Sequence, residues 1–217
     1  MVHWEKHEGE LSVVGVGAGS NDIWGVNHLG HIYHWDGHKW HKVDGELTNI
    51  SVGHDGEVWG VNKNHNIYRL DRSNNKWTQI PGELVQVSVG SHHHVWGVNH
   101  LDHIYKWDHH HNKWDKIDGA LTNVSVGKDG TVYGVNRGHQ IYRWDGSKVD
   151  LVLGELVQIH VSDAEKIVGV NHLDHIYRLK HGKDWEKLDG ELTWVSVGHH
   201  GEVWGVNKLH HIYKATL

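Results

Sequence analysis

"VWGVNHLDHIYKWD", Val95 to Asp108, states a theme that this 217-residue chain repeats six times. Gly-Val-Asn recurs at Gly25, Gly60, Gly97, Gly134, Gly169 and Gly205, at spacings of 35, 37, 37, 35 and 36 residues. Ile-Tyr begins five positions after each Asn, with no insertion or deletion. Asn27 thus leads to Tyr33, Asn62 to Tyr68, Asn99 to Tyr105, Asn136 to Tyr142, Asn171 to Tyr177 and Asn207 to Tyr213. A period of this length marks a repeat architecture, in which one small unit cannot bury its own apolar surface and stacks on its copies.

Working outward from the theme, each unit alternates apolar and polar residues with period 2, is rich in Val, Ile, Trp and Tyr, and is cut by short Gly, Asp, Asn and His turns. "LTNISVG", "EVWGVN", "NIYRLD" and "KWTQI" are four short strands of one unit. The expected fold is therefore all-β, a six-bladed propeller of four antiparallel strands per blade, forming one domain over 1–217. The sixth unit stops at "HIYKATL" after its third strand, while the opening "VHWEKHEGEL" aligns with "HKWHKVDGEL" of residues 38–47. Residues 2–7 are expected to supply the missing outer strand of the blade formed by 192–217, latching the ring.

Composition narrows the function. Lys and Arg number 21 against 27 carboxylates, for a net charge of −6, which removes the electrostatic footprint of a nucleic-acid binder. No apolar run is long enough for a membrane span, and the N-terminal segment lacks the apolar core of a signal peptide, so a cytoplasmic protein is expected. Without cysteine there are no disulfides and no thiol chemistry. No cofactor is indicated.

Three slots carry chemistry. An aromatic precedes Gly-Val-Asn at Trp24, Trp59, Trp96, Tyr133 and Trp204, and the Ile-Tyr tyrosines follow the turn. These rings are either inter-blade core or half-exposed at the seam between blades. The outer-strand Trp4, Trp40, Trp77, Trp114 and Trp185 are assigned to the core. The four-residue loops between Asn and Ile, "HLGH", "KNHN", "HLDH", "RGHQ", "HLDH" and "KLHH", hold ten of the 26 histidines on one face of the ring, among them His31, His65, His103, His139, His175 and His211. That enrichment favours a binding face over a merely solvated turn. Each Asn suits a tight turn as well as a ligand amide contact.

"VWGVN" followed by "IYRW" or "IYKW", with "LTNVSVG" on the inner strand, resembles the tectonin family over essentially the whole chain. Mushroom tectonins belong to it, and tachylectin and fish-egg lectins are similar. The resemblance implies a lectin, not an enzyme, with sugar sites repeated blade by blade for O-methylated glycans such as methyl-mannose and methyl-fucose on nematode or bacterial surfaces. The implied sites are Trp24, Asn27, His31 and Tyr33; Trp59, Asn62, His65 and Tyr68; Trp96, Asn99, His103 and Tyr105; Tyr133, Asn136, His139 and Tyr142; Asn171, His175 and Tyr177; and Trp204, Asn207, His211 and Tyr213. Blade five, with Val168 before its Gly, is expected to bind weakly or not at all.

Rival readings fare less well. "HDGEVW" at 54–59 superficially resembles a sialidase turn, but the chain has only five Arg, and six near-copies offer no unique acid–base pair. A protein-docking propeller is the alternative. No four ligands are specified for a metal, and adventitious binding by the His clusters is expected. Agglutination would call for a homo-oligomer. Protonating all 26 His would add 26 positive charges, which predicts weaker assembly or binding at low pH.

Overall fold

The computed structural model describes residues 2–217 and consists of six four-stranded antiparallel sheets. Five of them are consecutive in sequence. Blade one runs from its inner strand Val13–Val16 through Ile23–Val26 and His31–Trp35 to the outer strand Trp40–Glu46, and blades two to five repeat that order. Blade six takes Trp194–Val197, Glu202–Val206 and His211–Thr216 from the C-terminus and its outer strand, Glu5–Glu10, from the N-terminus. The six-bladed, latched propeller expected from the repeats is what forms. Residue 1, included in the expected domain, lies outside the described residues. Among the described residues no helix is long and apolar enough to cross a membrane.

The latch sits a few residues later than 2–7. Pairing begins at Glu5 against Lys214 and continues through Lys6 with Tyr213 and His7 with Ile212 to Glu10 with His211. Trp4 instead projects its indole onto the preceding blade, donating Nε1–H to the Asp189 carbonyl at 2.6 Å.

The recurring Gly is a packing residue. A Cβ on Gly25 would lie 2.5 Å from Leu11 Cδ1, and the same Leu-on-Gly contact recurs in every blade at 2.4 to 2.6 Å. The Leu that enters each inner strand is thereby laid across the second strand of its own sheet, and any side chain there would displace it. Neighbouring blades then share apolar clusters. Trp24, Val26 and Ile32 of blade one pack with Ile50, Val52, Val58 and Leu70 of blade two.

Around the axis, side chains of the inner strands of blades two to six accept hydrogen bonds from backbone amides of the next. Asn49 Oδ1 accepts from Val87 N (3.1 Å) and Ser51 Oγ from Val89 N (2.9 Å). Gln86 and Ser88 do the same for Val124 and Val126, and Asn123 and Ser125 for Ile159 and Val161. Gln158 and His160 serve Val195 and Val197, and Ser196 serves Val16. Blade one carries Val13 and Gly15 in these tiers, which have no acceptor to offer blade two. That junction is held from outside by Arg72, whose guanidinium donates two bonds of 2.9 Å to the Asp22 carboxylate. Burial alone would raise the Asp22 carboxyl, but the bonds from His34 and Arg72 outweigh it and hold it below the usual carboxylate range.

Two histidines replace residues of other types within this frame. His7, itself buried, fills the inward slot held by Val43, Ile80, Ile117, Val152 and Leu188 in the other outer strands, and its ring meets Trp35 edge-on at 4.4 Å. Burial lowers its pKa. His160 stands where blades two, three, four and six have Ser and blade one has Gly, and it lines the narrow axial cavity. Its Nδ1 accepts from Val197 N at 3.0 Å, so a proton there would oppose an N–H, and burial lowers its pKa to about 4. Unfolded, both titrate near 6.5, so the fold favours their neutral forms. Their contribution is complete above about pH 6.5 and is lost on acidification, over the window from 6.5 to about 4 for His160, where it amounts to about 3 kcal/mol. Thermal unfolding of His7→Val and His160→Ser should therefore show a smaller loss of Tm from neutral pH to about pH 5 than the parent. An unchanged acid sensitivity in both variants would refute the assignment.

Candidate functional site

Each outer strand leads into a glycine turn, and in every blade but the third that turn breaks the sheet register. In blade one His31 pairs with Glu46 while Ile32 pairs with Val43, so Asp44 and Gly45 bulge out of the ladder. Gly45 has φ of +117°, which a side chain would resist, and its equivalents from Gly9 to Gly190 share the positive φ. The bulge turns a carbonyl toward the neighbouring blade, where an outer-strand indole takes it. Trp40 Nε1–H donates to Glu8 O at 3.0 Å, Trp77 to Asp44 O at 2.9 Å, Trp114 to Pro81 O at 2.8 Å and Trp185 to Leu153 O at 2.9 Å. With Trp4 on Asp189, five of the six seams are stitched in this way.

Beside these stitches lie clefts shared by two blades. The cleft between blades five and six, about 590 Å³, takes His175, Ile176 and the Asp189-to-Leu192 turn from blade five, and Asn207, Tyr213 and Trp4 from blade six. Between blades six and one, about 540 Å³ is enclosed by His211, Ile212 and the Glu8-to-Leu11 turn on one side and Asn27, Tyr33 and Trp40 on the other. Between blades three and four, about 700 Å³ is lined by the Asp118-to-Leu121 turn, Asn136, Tyr142 and Trp144. These volumes suit a small ligand.

The expected constellation within a single blade is therefore divided. Asn27 and Tyr33 face the preceding blade, and the His that belongs with them is His211, not His31. In the same way Asn207 and Tyr213 share a cleft with His175. The remaining tyrosines Tyr68, Tyr105, Tyr142 and Tyr177 are half-buried, as the seam requires.

The residues before Gly-Val-Asn do not contribute. Trp24 and Trp59 are 1% exposed, Trp96 and Tyr133 3% and Trp204 0%. Their side chains point into the apolar cluster of the following blade, as Trp59 does among Leu84, Val89, Val95 and Trp107. They are corrected from sugar contacts to core. Val168 is equally buried, so the residue before Gly gives no ground for singling out blade five, whose His175 lines the cleft with blade six.

His65 and His139 occupy the third loop position, with φ of +69° and +68°. They stack on His100 and His172 of the next blade at 5.3 and 5.2 Å and are not equivalent to His31, His103, His175 or His211. In the fourth position their blades carry Asn66 and Gln140. Each loop Asn works first as a turn residue. Asn27 Oδ1 accepts from Leu29 N and His31 N at 3.0 and 2.9 Å, and Asn62, Asn99, Asn171 and Asn207 accept the equivalent pair. Asn136 accepts from Gln140 N and donates Nδ2–H to Gln140 Oε1. With the oxygen engaged, the amide NH2 is the group left for a ligand.

The sequence reading missed the outer-strand Trp as a cleft wall and the glycine turn as its partner. The available signal was the co-occurrence of Gly in the turn with a Trp about 32 residues later. Among the described residues no group of three or more metal-binding side chains converges, although His93 Nδ1 and His109 Nε2 lie 2.9 Å apart on the opposite face.

A tectonin-domain model matches residues 2–113 and again 107–217. The chain belongs to the tectonin domain family. A stretch of 72 residues, 33% of this tectonin-domain chain, is 72% identical to Tectonin-2 of Physarum polycephalum, and it spans 20% of that relative's length. Among solved structures, YCF48 bound to D1 peptide covers 95% of the chain and 78% of its own at TM-score 0.65 and 13% identity. Streptogramin B lyase covers 100% and 98% at TM-score 0.65 and 15% identity. At such identities both are likenesses of fold alone.

The stitches of this tectonin domain can be measured. Trp77→Phe keeps the ring and removes the N–H, and it should lower stability by about 1 kcal/mol in denaturant unfolding. No loss would mean that the bond to Asp44 contributes nothing.

Proposed function

We propose that the chain is a non-enzymatic lectin that binds saccharides in the seams between blades. The observation that carries this is the composition of the cleft between blades five and six, which recurs between blades six and one. The aliphatic side chains Ile176 and Leu192 adjoin Tyr213, Asn207, His175 and the Glu191 carboxylate, with Trp4 closing one side. Aromatic rings suit the C–H face of a pyranose, the polar groups suit its hydroxyls, and an aliphatic recess suits an O-methyl group. O-methylated glycans, methyl-mannose and methyl-fucose among them, are the ligands this reading favours, displayed on nematode or bacterial surfaces and met in defence. Several shallow sites on one rigid ring gain strength on a dense glycan surface by avidity.

Catalysis has less support. Streptogramin B lyase has a propeller of this kind, so fold alone does not decide. Here the axial cavity is only about 10 Å³, closed by residues such as Trp194 and His160, and the seams offer near-copies without one unlike acid–base pair.

One observation favours a second reading, a protein-docking platform. Leu29, Leu101, Leu173 and Leu209, all in the Asn-to-Ile loops, are 57 to 60% exposed on one face.

A glycan array with methylated and unmethylated sugars, followed by calorimetry on the strongest ligand, separates the two. The lectin reading expects a requirement for the methyl group and five or six sites per chain, one for each seam. Tyr213→Ala should remove one site and leave the rest. No signal from any glycan would overturn the reading and favour the platform.

A further inference from the structure

The seam between blades three and four departs from the others. Where five outer strands carry the stitching Trp, blade four has Val149. The partner side of the seam keeps its glycine turn, although the outer strand of blade three ends at Ile117 without the register break of the other blades. Gly119 keeps the positive φ of the turn, at +122°, and Ile104 Cδ1 lies 3.3 Å from its ideal Cβ, the same distance that Ile32 keeps from Gly45. What differs is the third neighbour. At Gly45, Gly82, Gly154 and Gly190 an indole lies 3.0 to 3.2 Å from that Cβ position, whereas at Gly119 nothing but Ile104 comes within 4 Å.

The consequences extend to the neighbouring side chains. Trp144 is half-buried, while the residues in its slot elsewhere, Trp35, Leu70, Trp107 and Leu179, are 5 to 8% exposed. In blades one and three the outer-strand indole packs against that slot, with ring centroids 5.3 Å apart for Trp35 and Trp40 and 5.0 Å for Trp107 and Trp114. Ala120 also replaces the Glu that ends the turn in the other blades. The cleft here is accordingly the most spacious of the three, about 700 Å³ against about 590 and 540 Å³.

We infer that this seam is a binding site for a small planar aromatic ligand with an N–H donor, of the indole class, which takes the place of the absent sixth Trp side chain and donates to the Asp118 carbonyl. The other seams supply the template: an indole face against the turn glycine and Ile, with its N–H on the carbonyl of the residue before that glycine. Asp118, Gly119 and Ile104 already line the cleft, and a preformed cleft requires little reorganisation to bind. The inference does not depend on whether the seams bind sugar.

Indole itself is the probe, titrated into the whole chain while the Gly119 amide and Ile104 δ1-methyl signals are followed by NMR. Saturable shifts at both are expected, with one ligand per chain. 1-Methylindole, which keeps the ring and loses the donor, should bind about tenfold more weakly, the effect of one hydrogen bond. Val149→Trp should abolish the shifts by restoring the tethered indole. Shifts that fail to appear up to the solubility limit of indole would overturn the proposal, as would equal affinity for 1-methylindole. Should Val149→Trp not fold, the comparison of the two ligands on the parent chain decides alone. A methylated-glycan titration on the same sample reads the sugar question separately, since its failure leaves the indole shifts unaffected.

Discussion

The ring depends on hydrogen bonds between inner strands that are not paired in one sheet. Inner strands of adjacent blades come close at the axis, and backbone amides buried there would be costly if left without partners. Short polar side chains meet the need. Asn49 and Ser51 in blade two, and their counterparts through blade five, accept from amides one blade onward, as Ser196 does in blade six, where Trp194 instead donates Nε1–H to the Val14 carbonyl. The tiers use Ser, Asn and Gln because each brings an acceptor of the right reach without filling the channel. His160 satisfies the same amide with a ring nitrogen, which makes that junction dependent on the neutral imidazole. Where blade one has Val13 and Gly15, the junction is held instead by the Arg72–Asp22 pair on the outer part of the blades.

At the outer end of each blade the same problem is solved differently. The glycine bulge frees a carbonyl from the sheet, and an indole from the following blade reaches it. One device thus ties the rim, covers the neighbouring slot of the third strand and forms a wall of the seam cleft. Because wall and opposite side belong to different blades, a cleft exists only once two units are stacked, and a local change such as Val149 alters one seam while leaving the other five intact.

The repeat, the strand count per unit and the latch by the N-terminal strand were legible from sequence, because period-2 patterning and the interval between Gly-Val-Asn triplets are local properties of the chain. The turn role of the loop Asn was legible for the same reason. The site was only partly so. Tyr33 and Asn27 line a cleft between blades, yet Trp24 is core, because the side chain before Gly-Val-Asn points into the next blade's apolar cluster. His65 was grouped with His31 by residue type, although backbone conformation puts it at the corner of the loop, one position earlier. Blade five was singled out for Val168, whereas the seam with the real difference has its change at Val149, on an outer strand that sequence alone assigns to general packing.

The sequence by itself determined that six like units of four strands must close on one another, and that the two ends must share a blade, since each follows from residue order and from the apolar surface one unit leaves uncovered. Only the tertiary structure decided which side chains meet. Strand twist and blade stacking set the His211 of one blade beside the Asn27 and Tyr33 of the next. They turn Trp40 out to the seam while sealing Trp24 within it. A seam is made of residues from two repeats, and no pattern read within one repeat contains it.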